Sequence, residues 1–124
     1  MSPDWRGFCR TNDFSLDGEG IVVSFQNERR HRVSVVTESG ELVVRARALP
    51  PSTVARTANL LETMWLRNRA TALVGFRIDK RGWLVGEATL PQAGLTASEF
   101  QTYVRAVAAE SDRFEFAITG LDRE

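Results

Sequence analysis

Alternation of apolar and polar positions in the first half of the chain predicts three β-strands in a meander. The first strand covers residues 21–25, where every second side chain is apolar. Two further strands, residues 32–37 and 42–48, flank Ser39-Gly40, a dipeptide typical of a tight hairpin turn. The pattern therefore predicts an antiparallel sheet with one apolar face.

A two-residue turn at Ser39-Gly40 fixes the register of the second and third strands. It pairs Val35 with Val44 on the apolar face. A slip by one residue would expose these valines to solvent, so we expect this register. The opposite face of the hairpin then carries Arg32, Ser34, Arg45 and Arg47.

A helix is predicted next, from Ser52 or Thr53 to about Asn68. Its apolar residues recur every three or four positions, which is typical of a helix with one side against a core. These residues are Val54, Ala58, Leu61, Met64 and Trp65. We expect Met64 and Trp65 to serve core packing rather than a cofactor pocket.

A second hairpin is predicted from residues 71–78 and 83–90. Apolar side chains point to both faces of this strand pair, and such a pair needs cover on both faces. One layer of helices covers one face, so we expect a second copy of the chain to cover the other. The residues expected at this homodimer interface are Leu73, Trp83 and Val85.

The last predicted helix begins with a capping box, Thr96 to Glu99. Leu95 and Phe100 have the spacing of a hydrophobic staple across the same helix start. We expect the helix to end near Ser111 or a few residues later. A final docking turn is expected at Phe114 and Phe116.

The two ends of the chain carry weak patterns. Residues 1–19 are polar and poorly periodic, so we expect them to be irregular apart from a short helical turn that Trp5 and Phe8 would allow. Residues 120–124 are expected to be frayed. The chain, residues 1–124, is thus predicted to be one α+β domain in the order β-β-β-α-β-β-α. Its antiparallel sheet is packed on one face by helices.

Composition narrows the chemistry. The 124 residues suffice for one core, and their single Cys and single His exclude a disulfide framework and most zinc sites. Cys9 and His31 lie in no nucleophile motif, and no glycine-rich loop precedes a helix, so we expect no catalytic residue, cofactor or metal. No apolar run of membrane-spanning length occurs and the start lacks a signal core, so we expect a cytoplasmic protein.

Basic residues are concentrated in the middle of a chain whose net charge is zero. Residues 29–81 hold ten arginines and Lys80 against four acids, whereas acids dominate both ends. One interpretation is that folding brings the ends over the middle and balances the charge. The other is a basic surface for an acidic partner, formed by Arg32, Arg45 and Arg47. The single lysine and the lack of an aromatic ladder argue against nucleic acid.

The carboxyl-terminal half carries a series of turns and caps that resembles a known family. Its pattern is a strand, an Asp-x-x-Gly turn, an apolar strand ending in Leu-Pro, and Gly-Leu-Thr-x-x-Glu before the last helix. This chain matches it at Asp79–Gly82, Leu90-Pro91 and Gly94–Glu99. The chain therefore resembles the YbjN-like proteins, which share the type III secretion chaperone-like fold.

The resemblance extends over residues 52–116 by motif and over residues 20–50 by the order of elements. It implies an α+β domain that dimerises and binds an extended or helical peptide segment of another protein without ATP. We therefore expect a non-enzymatic, chaperone-like or regulatory protein- or peptide-binding domain that acts as a homodimer. The alternative is nucleic-acid or acidic-ligand binding through the Arg-rich sheet face.

Overall fold

The structure, a computed structural model, describes residues 4–122. A 3-10 helix, Trp5–Phe8, comes first. Four strands follow: β1 (Phe14–Asp17), β2 (Gly20–Ser24), β3 (Arg30–Glu38) and β4 (Glu41–Leu49). Two helices and a hairpin come next: α1 (Pro51–Arg56), α2 (Leu60–Ala70), β5 (Gly75–Ile78) and β6 (Leu84–Pro91). The last element is a long helix, α3 (Ala97–Asp122).

All six strands form one antiparallel sheet in the order β1-β2-β3-β4-β6-β5. Helix α3 packs across β3, β4 and β6, and the 3-10 helix packs against α3 through the stacked rings of Trp5 and Phe100. The predicted α+β class, an antiparallel sheet with helices on one face, is confirmed. None of the helices in the described part of the chain is both long and apolar enough to cross a membrane.

The register predicted from the Ser39-Gly40 turn is confirmed. Val35 lies opposite Val44, and Ser34 lies opposite Arg45. Ser39 and Gly40 both have positive φ angles, 51° and 81°, as a two-residue turn that matches strand twist requires. The valines face α3 and are buried, so the arginines of β3 and β4 lie on the open face.

The expectation that residues 1–19 are irregular apart from a short helical turn is wrong at residues 14–17, whereas the helical turn is present at Trp5–Phe8. Residues 14–17 form β1, an edge strand that pairs with β2. Only Phe14 in this strand is buried, and the three residues after it are exposed. Apolar and polar residues alternate over these four positions only, which is at the lower limit of length at which alternation indicates a strand. Residues 1–3 lie outside the described residues.

The single helix expected to run to about Asn68 is two helices. Asn59 takes a left-handed conformation, with φ at 58°, and breaks the helix before Leu60. The break sets α2 with Leu60 and Met64 towards the core. Leu61 and Trp65, expected in the core, are instead 71% and 56% exposed.

The second hairpin forms as expected, but its first strand begins later. Residues 71–74 make a turn in which the Thr71 hydroxyl donates to the Val74 carbonyl at 2.7 Å. The Asn68 side chain then pairs with the backbone of Phe76, accepting from its N–H at 2.7 Å and donating to its carbonyl at 3.0 Å. Asn68 thus occupies part of the free edge of β5, which protects that edge from pairing with another strand.

The predicted capping box at the start of α3 is confirmed. The Thr96 hydroxyl accepts from the Glu99 N–H, and a Glu99 carboxylate oxygen accepts from the Thr96 N–H, each at 3.1 Å. The predicted end near Ser111 is wrong, because Ser111 and Phe114 continue the buried face of the helix. Residues 120–122 are helical rather than frayed, and residues 123–124 lie outside the described residues.

Close packing at one point brings α3 down onto the sheet. A Cβ atom at Gly86 of β6 would lie 2.5 Å from the Ser111 hydroxyl oxygen and 2.9 Å from the Phe76 ring. Ser111 is fully buried, and its hydroxyl has no hydrogen-bond partner among the described residues. Glycine at position 86 is therefore required by the distance between helix and sheet rather than by backbone conformation.

Replacement of this glycine tests the helix–sheet contact. We expect Gly86→Ala to lower the free energy of unfolding by about 2 kcal/mol, because the added methyl group overpacks the core. Gly75→Ala is the matched control in the neighbouring strand, since a Cβ atom there meets nothing within 4 Å. Urea unfolding followed by circular dichroism measures both, and equal midpoints for the two variants would contradict the contact.

Candidate binding surfaces

Arg32, Arg45 and Arg47 lie on the open face of the sheet, as strand alternation predicts. The structure brings them together around one open depression of about 710 Å³. Two further arginines line it, Arg30 and Arg81. We call this feature the arginine depression, and its remaining lining residues are His31, Ser34, Asp79, Val85 and Glu115.

One wall of the arginine depression is formed by an arginine that lies flat on the sheet. Arg32 crosses Gly20, where any Cβ atom would lie 2.6 Å from the guanidinium carbon. Beyond Gly20, the Arg32 Nε donates to a carboxylate oxygen of Asp17 at 3.2 Å. An acid from the amino-terminal region therefore neutralises this arginine.

A second ion pair group lies across β4, β6 and β5. Glu87 accepts from the Arg45 Nε at 2.8 Å and from the Arg77 Nε at 2.6 Å. Burial acts to raise the pKa of the Glu87 carboxyl, but the hydrogen bonds from Arg77 and Arg45 outweigh it and lower that pKa. Glu87 is thus ionised at neutral pH and shared by two arginines.

Arg47 is held without a carboxylate. Its guanidinium carbon lies 4.3 Å from the centre of the Trp83 ring. Its backbone carbonyl accepts a hydrogen bond from the His31 Nε2 at 2.8 Å. Arg47, Arg30 and Arg81 take part in no ion pair with any residue in the range 4–122. Charge balance within the fold thus applies to Arg32 and Arg45, two of the three arginines expected to contact an acidic partner. The contact with an acidic partner stays a prediction.

A cluster of possible metal ligands lies beside the depression. One ligand atom each from His31, Asp112 and Glu115 lies within 4.8 Å of the others. Both carboxylate oxygens of Asp112, however, accept from Arg29, at 2.9 and 3.0 Å. His31 uses its Nε2 on the Arg47 carbonyl. A guanidinium already neutralises the carboxylate, so we assign no metal to this cluster.

The Asp112–Arg29 pair joins α3 to the loop before β3. Burial acts to raise the pKa of the Asp112 carboxyl, but the hydrogen bonds and charge of Arg29 outweigh it and lower that pKa. The His31 Nδ1 lies 3.5 Å from the same carboxylate, too far for a strong hydrogen bond. This pair anchors the end of β3 that carries Arg30 and Arg32.

The residues expected at a dimer interface lie apart on the hairpin. Leu73 precedes β5 and is 39% exposed, whereas Trp83 follows the opposite end of that strand and is half-buried beneath Arg47. Val85 lies on the open face opposite Arg47 and Arg77, and only 1% of it is exposed. Val85 is thus buried within the single chain, with Arg47 and Arg77 as its neighbours across the sheet.

The largest group of exposed apolar side chains on one element lies on α2 rather than on the second hairpin. Leu61, Trp65 and Leu66 are 71%, 56% and 54% exposed. We call these three residues the α2 apolar patch. A signal in the sequence could have found it. Leu60 and Met64 are four residues apart, as are Leu61 and Trp65, and the two pairs are offset by one residue, so they cannot both lie on one narrow face of the helix. The pattern alone does not say which pair is buried.

Almost the whole chain matches the model of one protein family. The model of the YbjN family, described as "Putative bacterial sensory transduction regulator", matches residues 8–119. The chain belongs to the YbjN family. The match includes the two strands, β3 and β4, that carry arginines of the depression, together with α2 and nearly all of α3. No curated protein matches the chain in sequence.

Solved structures share the fold of this YbjN-family chain. YbjN, described as "a putative transcription regulator from E. coli", has a TM-score of 0.69 at 14% identity and covers 98% of this chain and 96% of its own. The heterodimeric ExoU–SpcU complex from the type III secretion system of Pseudomonas aeruginosa contains a chain with a TM-score of 0.64 at 12% identity, covering 92% and 94%. The ExsC–ExsE complex has a TM-score of 0.58 at 16% identity, covering 92% and 87%. The predicted resemblance to YbjN-like and secretion-chaperone-like proteins is confirmed at the level of fold.

The Asp112–Arg29 pair makes the stability of the fold depend on pH. Folding lowers the pKa of the Asp112 carboxyl. The contribution of this carboxylate to the free energy of unfolding is therefore complete above the pKa of an unfolded Asp, and it is lost as the pH falls through the lower pKa of the folded protein. We expect Asp112→Asn to lower the free energy of unfolding by about 2 kcal/mol at neutral pH, and the difference from the native protein to shrink as the pH falls below about 4 and the carboxylate of the native protein becomes protonated. Calorimetric melting temperatures over this range measure it.

Glu19→Gln is the control for this pH series. Glu19 is an exposed acid whose carboxylate lies 3.3 Å from Arg6. Exposed pairs of this kind contribute little, so its melting temperature should follow that of the native protein at every pH. A destabilisation by Asp112→Asn that is independent of pH would show that the ionised carboxylate is not what anchors β3.

Proposed function

We propose that this YbjN-family chain is a non-enzymatic, chaperone-like protein-binding domain that acts as a homodimer. The observation that carries the proposal is the α2 apolar patch. Large apolar side chains that stay more than half exposed on one short helix are typical of a surface that meets another protein. The cytoplasmic location expected from the sequence stays a prediction.

A second copy of the chain is the proposed occupant of the α2 apolar patch. Helix α2 carries an acid, Glu62, near its start and a base, Arg69, near its end. If two copies of α2 pack antiparallel, Glu62 of each faces Arg69 of the other, and Trp65 and Leu66 lie at the twofold axis. This arrangement buries the patch and pairs its flanking charges, so the helix is complementary to itself.

The interface predicted from the sequence changes in this proposal. Leu73 keeps a place in it, because it is exposed and lies three residues after α2 ends. Trp83 and Val85 do not, because Trp83 is half-buried beneath Arg47 and Val85 is buried. Trp65 stays 56% exposed, although the guanidinium carbon of Arg69 lies 4.8 Å from the centre of its ring. We thus keep the homodimer and move its centre from the hairpin to α2.

The protein-binding part of the proposal draws support from the shared fold. The ExsC–ExsE and ExoU–SpcU structures are complexes of two different proteins, and each contains a chain folded like this one. The residues that line the arginine depression include Asp79, whose carboxylate accepts two backbone N–H groups, and no nucleophile paired with a base. A binding function therefore fits these residues better than catalysis.

The homodimer has a direct test. We expect the native protein to scatter light as a dimer at micromolar concentration, and Leu61→Gln/Trp65→Gln to weaken dimerisation at least about tenfold through loss of apolar burial. Size-exclusion chromatography with light scattering measures both. Leu16→Gln, at an exposed leucine of β1, is the matched control and should remain dimeric.

Two results would count against this interface. A native protein that is monomeric at these concentrations removes the homodimer altogether. A dimer that persists in the double variant moves the interface away from α2. Circular dichroism of the variants establishes that they remain folded, which is expected because both replaced side chains are exposed.

Affinity capture from the native host followed by mass spectrometry tests protein binding itself. We expect one protein to co-purify in near-equal amount and to form a complex with the chain when both are purified, without added nucleotide. Recovery of nucleic acid in place of a protein would favour the alternative function. A captured protein that fails to bind when purified would contradict the proposal.

A further inference from the structure

We propose that the arginine depression binds an acidic, extended segment of a protein partner, an inference that rests on the proposed protein-binding function. The ligand is a strand-like peptide with carboxylates at alternate positions. The site is separate from the α2 apolar patch, because it lies on the open face of the sheet and is formed by β3, β4, β6 and the turn after β5, with Glu115 of α3 at its margin and no residue of α2. One surface thus serves dimerisation and the other recognises the partner.

The spacing of the arginines fits an extended peptide. Arg45 and Arg47 are two residues apart on β4, and Arg30 and Arg32 are two residues apart on β3. Side chains two residues apart on a strand lie on one face about 7 Å apart, and neighbouring strands are about 5 Å apart. Alternate side chains of an extended ligand have the same repeat, so acids at every second position lie near successive arginines. Of these, Arg30 and Arg47 have no ion-pair partner among the described residues, and Arg32 and Arg45 are shared with Asp17 and Glu87.

Arg47 is the residue best prepared to bind a carboxylate. Stacking on Trp83 occupies one face of its guanidinium and leaves the N–H groups at the edge able to donate in plane. The His31 hydrogen bond fixes the backbone at the same residue. A side chain already held in place loses little conformational freedom on binding, which favours affinity.

The charge of the depression is suited to a few carboxylates. Arg30, Arg47 and Arg81 lack an ion-pair partner in the described range, while Arg32 is paired with Asp17 and Arg45 with Glu87. Two acids, Asp79 and Glu115, also line the depression. The positive excess is therefore small, and it matches a peptide with spaced acids.

A nucleic acid fits the same surface less well. Its phosphates are densely spaced, and binding them takes a surface that is strongly basic along its length. Single strands also need ring faces on which bases stack. Trp83 is beside the depression, but Arg47 covers its ring. Among the residues that line the depression, the only aromatic ring is the imidazole of His31, and His31 is buried.

The test uses the full chain and synthetic peptides. A fluorescent peptide of about ten residues with alternating Glu and Ser spans the strands of the depression. We expect it to bind saturably, with an affinity that falls as salt rises, and a Gln–Ser peptide of the same length to bind at least about tenfold more weakly. Fluorescence anisotropy measures both.

Arg47→Gln locates the site. We expect this substitution to weaken binding of the Glu–Ser peptide about tenfold, as loss of a charge-assisted hydrogen bond does. Arg56→Gln is the matched control, because Arg56 is an exposed arginine of α1 that does not line the depression. Circular dichroism should be unchanged in both variants, since each replaced side chain is exposed.

Three outcomes overturn the inference. These are no saturable binding of the Glu–Ser peptide, equal affinities for Arg47→Gln and Arg56→Gln, and tighter binding of a single-stranded oligonucleotide that also depends on Arg47. The last result assigns the depression to nucleic acid. Light scattering on the same samples separates these failures from failure of the homodimer, because a dimer that does not bind the peptide leaves the α2 interface standing.

Discussion

The close approach of α3 to the centre of the sheet is the constraint on which the other features depend. Gly86 has no room for a side chain because the Ser111 hydroxyl and the Phe76 ring occupy that space. At this distance one long helix covers β3, β4 and β6 along one face. Val35 and Val44 are buried on that face, and strand alternation therefore places Arg32, Arg45 and Arg47 on the other.

Neutralisation of the open face follows from the same arrangement. The chain is basic in its middle and acidic at its ends, and folding brings Asp17, Glu87 and Asp112 against Arg32, Arg45 and Arg29. These pairs hold the strands and the loop before β3 in place. The arginines that remain, above all Arg47, are positioned by an aromatic ring and a backbone hydrogen bond. The positive charge that is not paired within the described residues therefore lies on side chains such as Arg47 that the fold holds in place.

The fold separates the two surfaces that are proposed for binding. The α2 apolar patch arises because α1 ends at the extended Thr57 and α2 begins anew after the left-handed Asn59, with Leu60 and Met64 towards the core. The arginine depression arises from strand register, to which the turn after β5 adds Arg81. The two surfaces share no residue, since one lies on a helix at the β5 side and the other on the open sheet face. The proposed second copy and the proposed acidic partner would therefore not compete for the same residues.

The sequence by itself determined the elements whose signals are local. Period-two alternation and the Ser39-Gly40 turn specified the register that places Arg32, Arg45 and Arg47 on one face, and the Thr96–Glu99 box specified where α3 begins. Tertiary structure decided the rest. The four-residue β1 forms only because β2 is there to pair with it, and α3 continues past Ser111 because the sheet beneath it buries Ser111 and Phe114. Of two equally spaced apolar pairs on α2, Leu60 and Met64 face the core while Leu61 and Trp65 are exposed. Packing of α2 against the rest of the fold decides this, because the pattern within the helix is the same for both pairs.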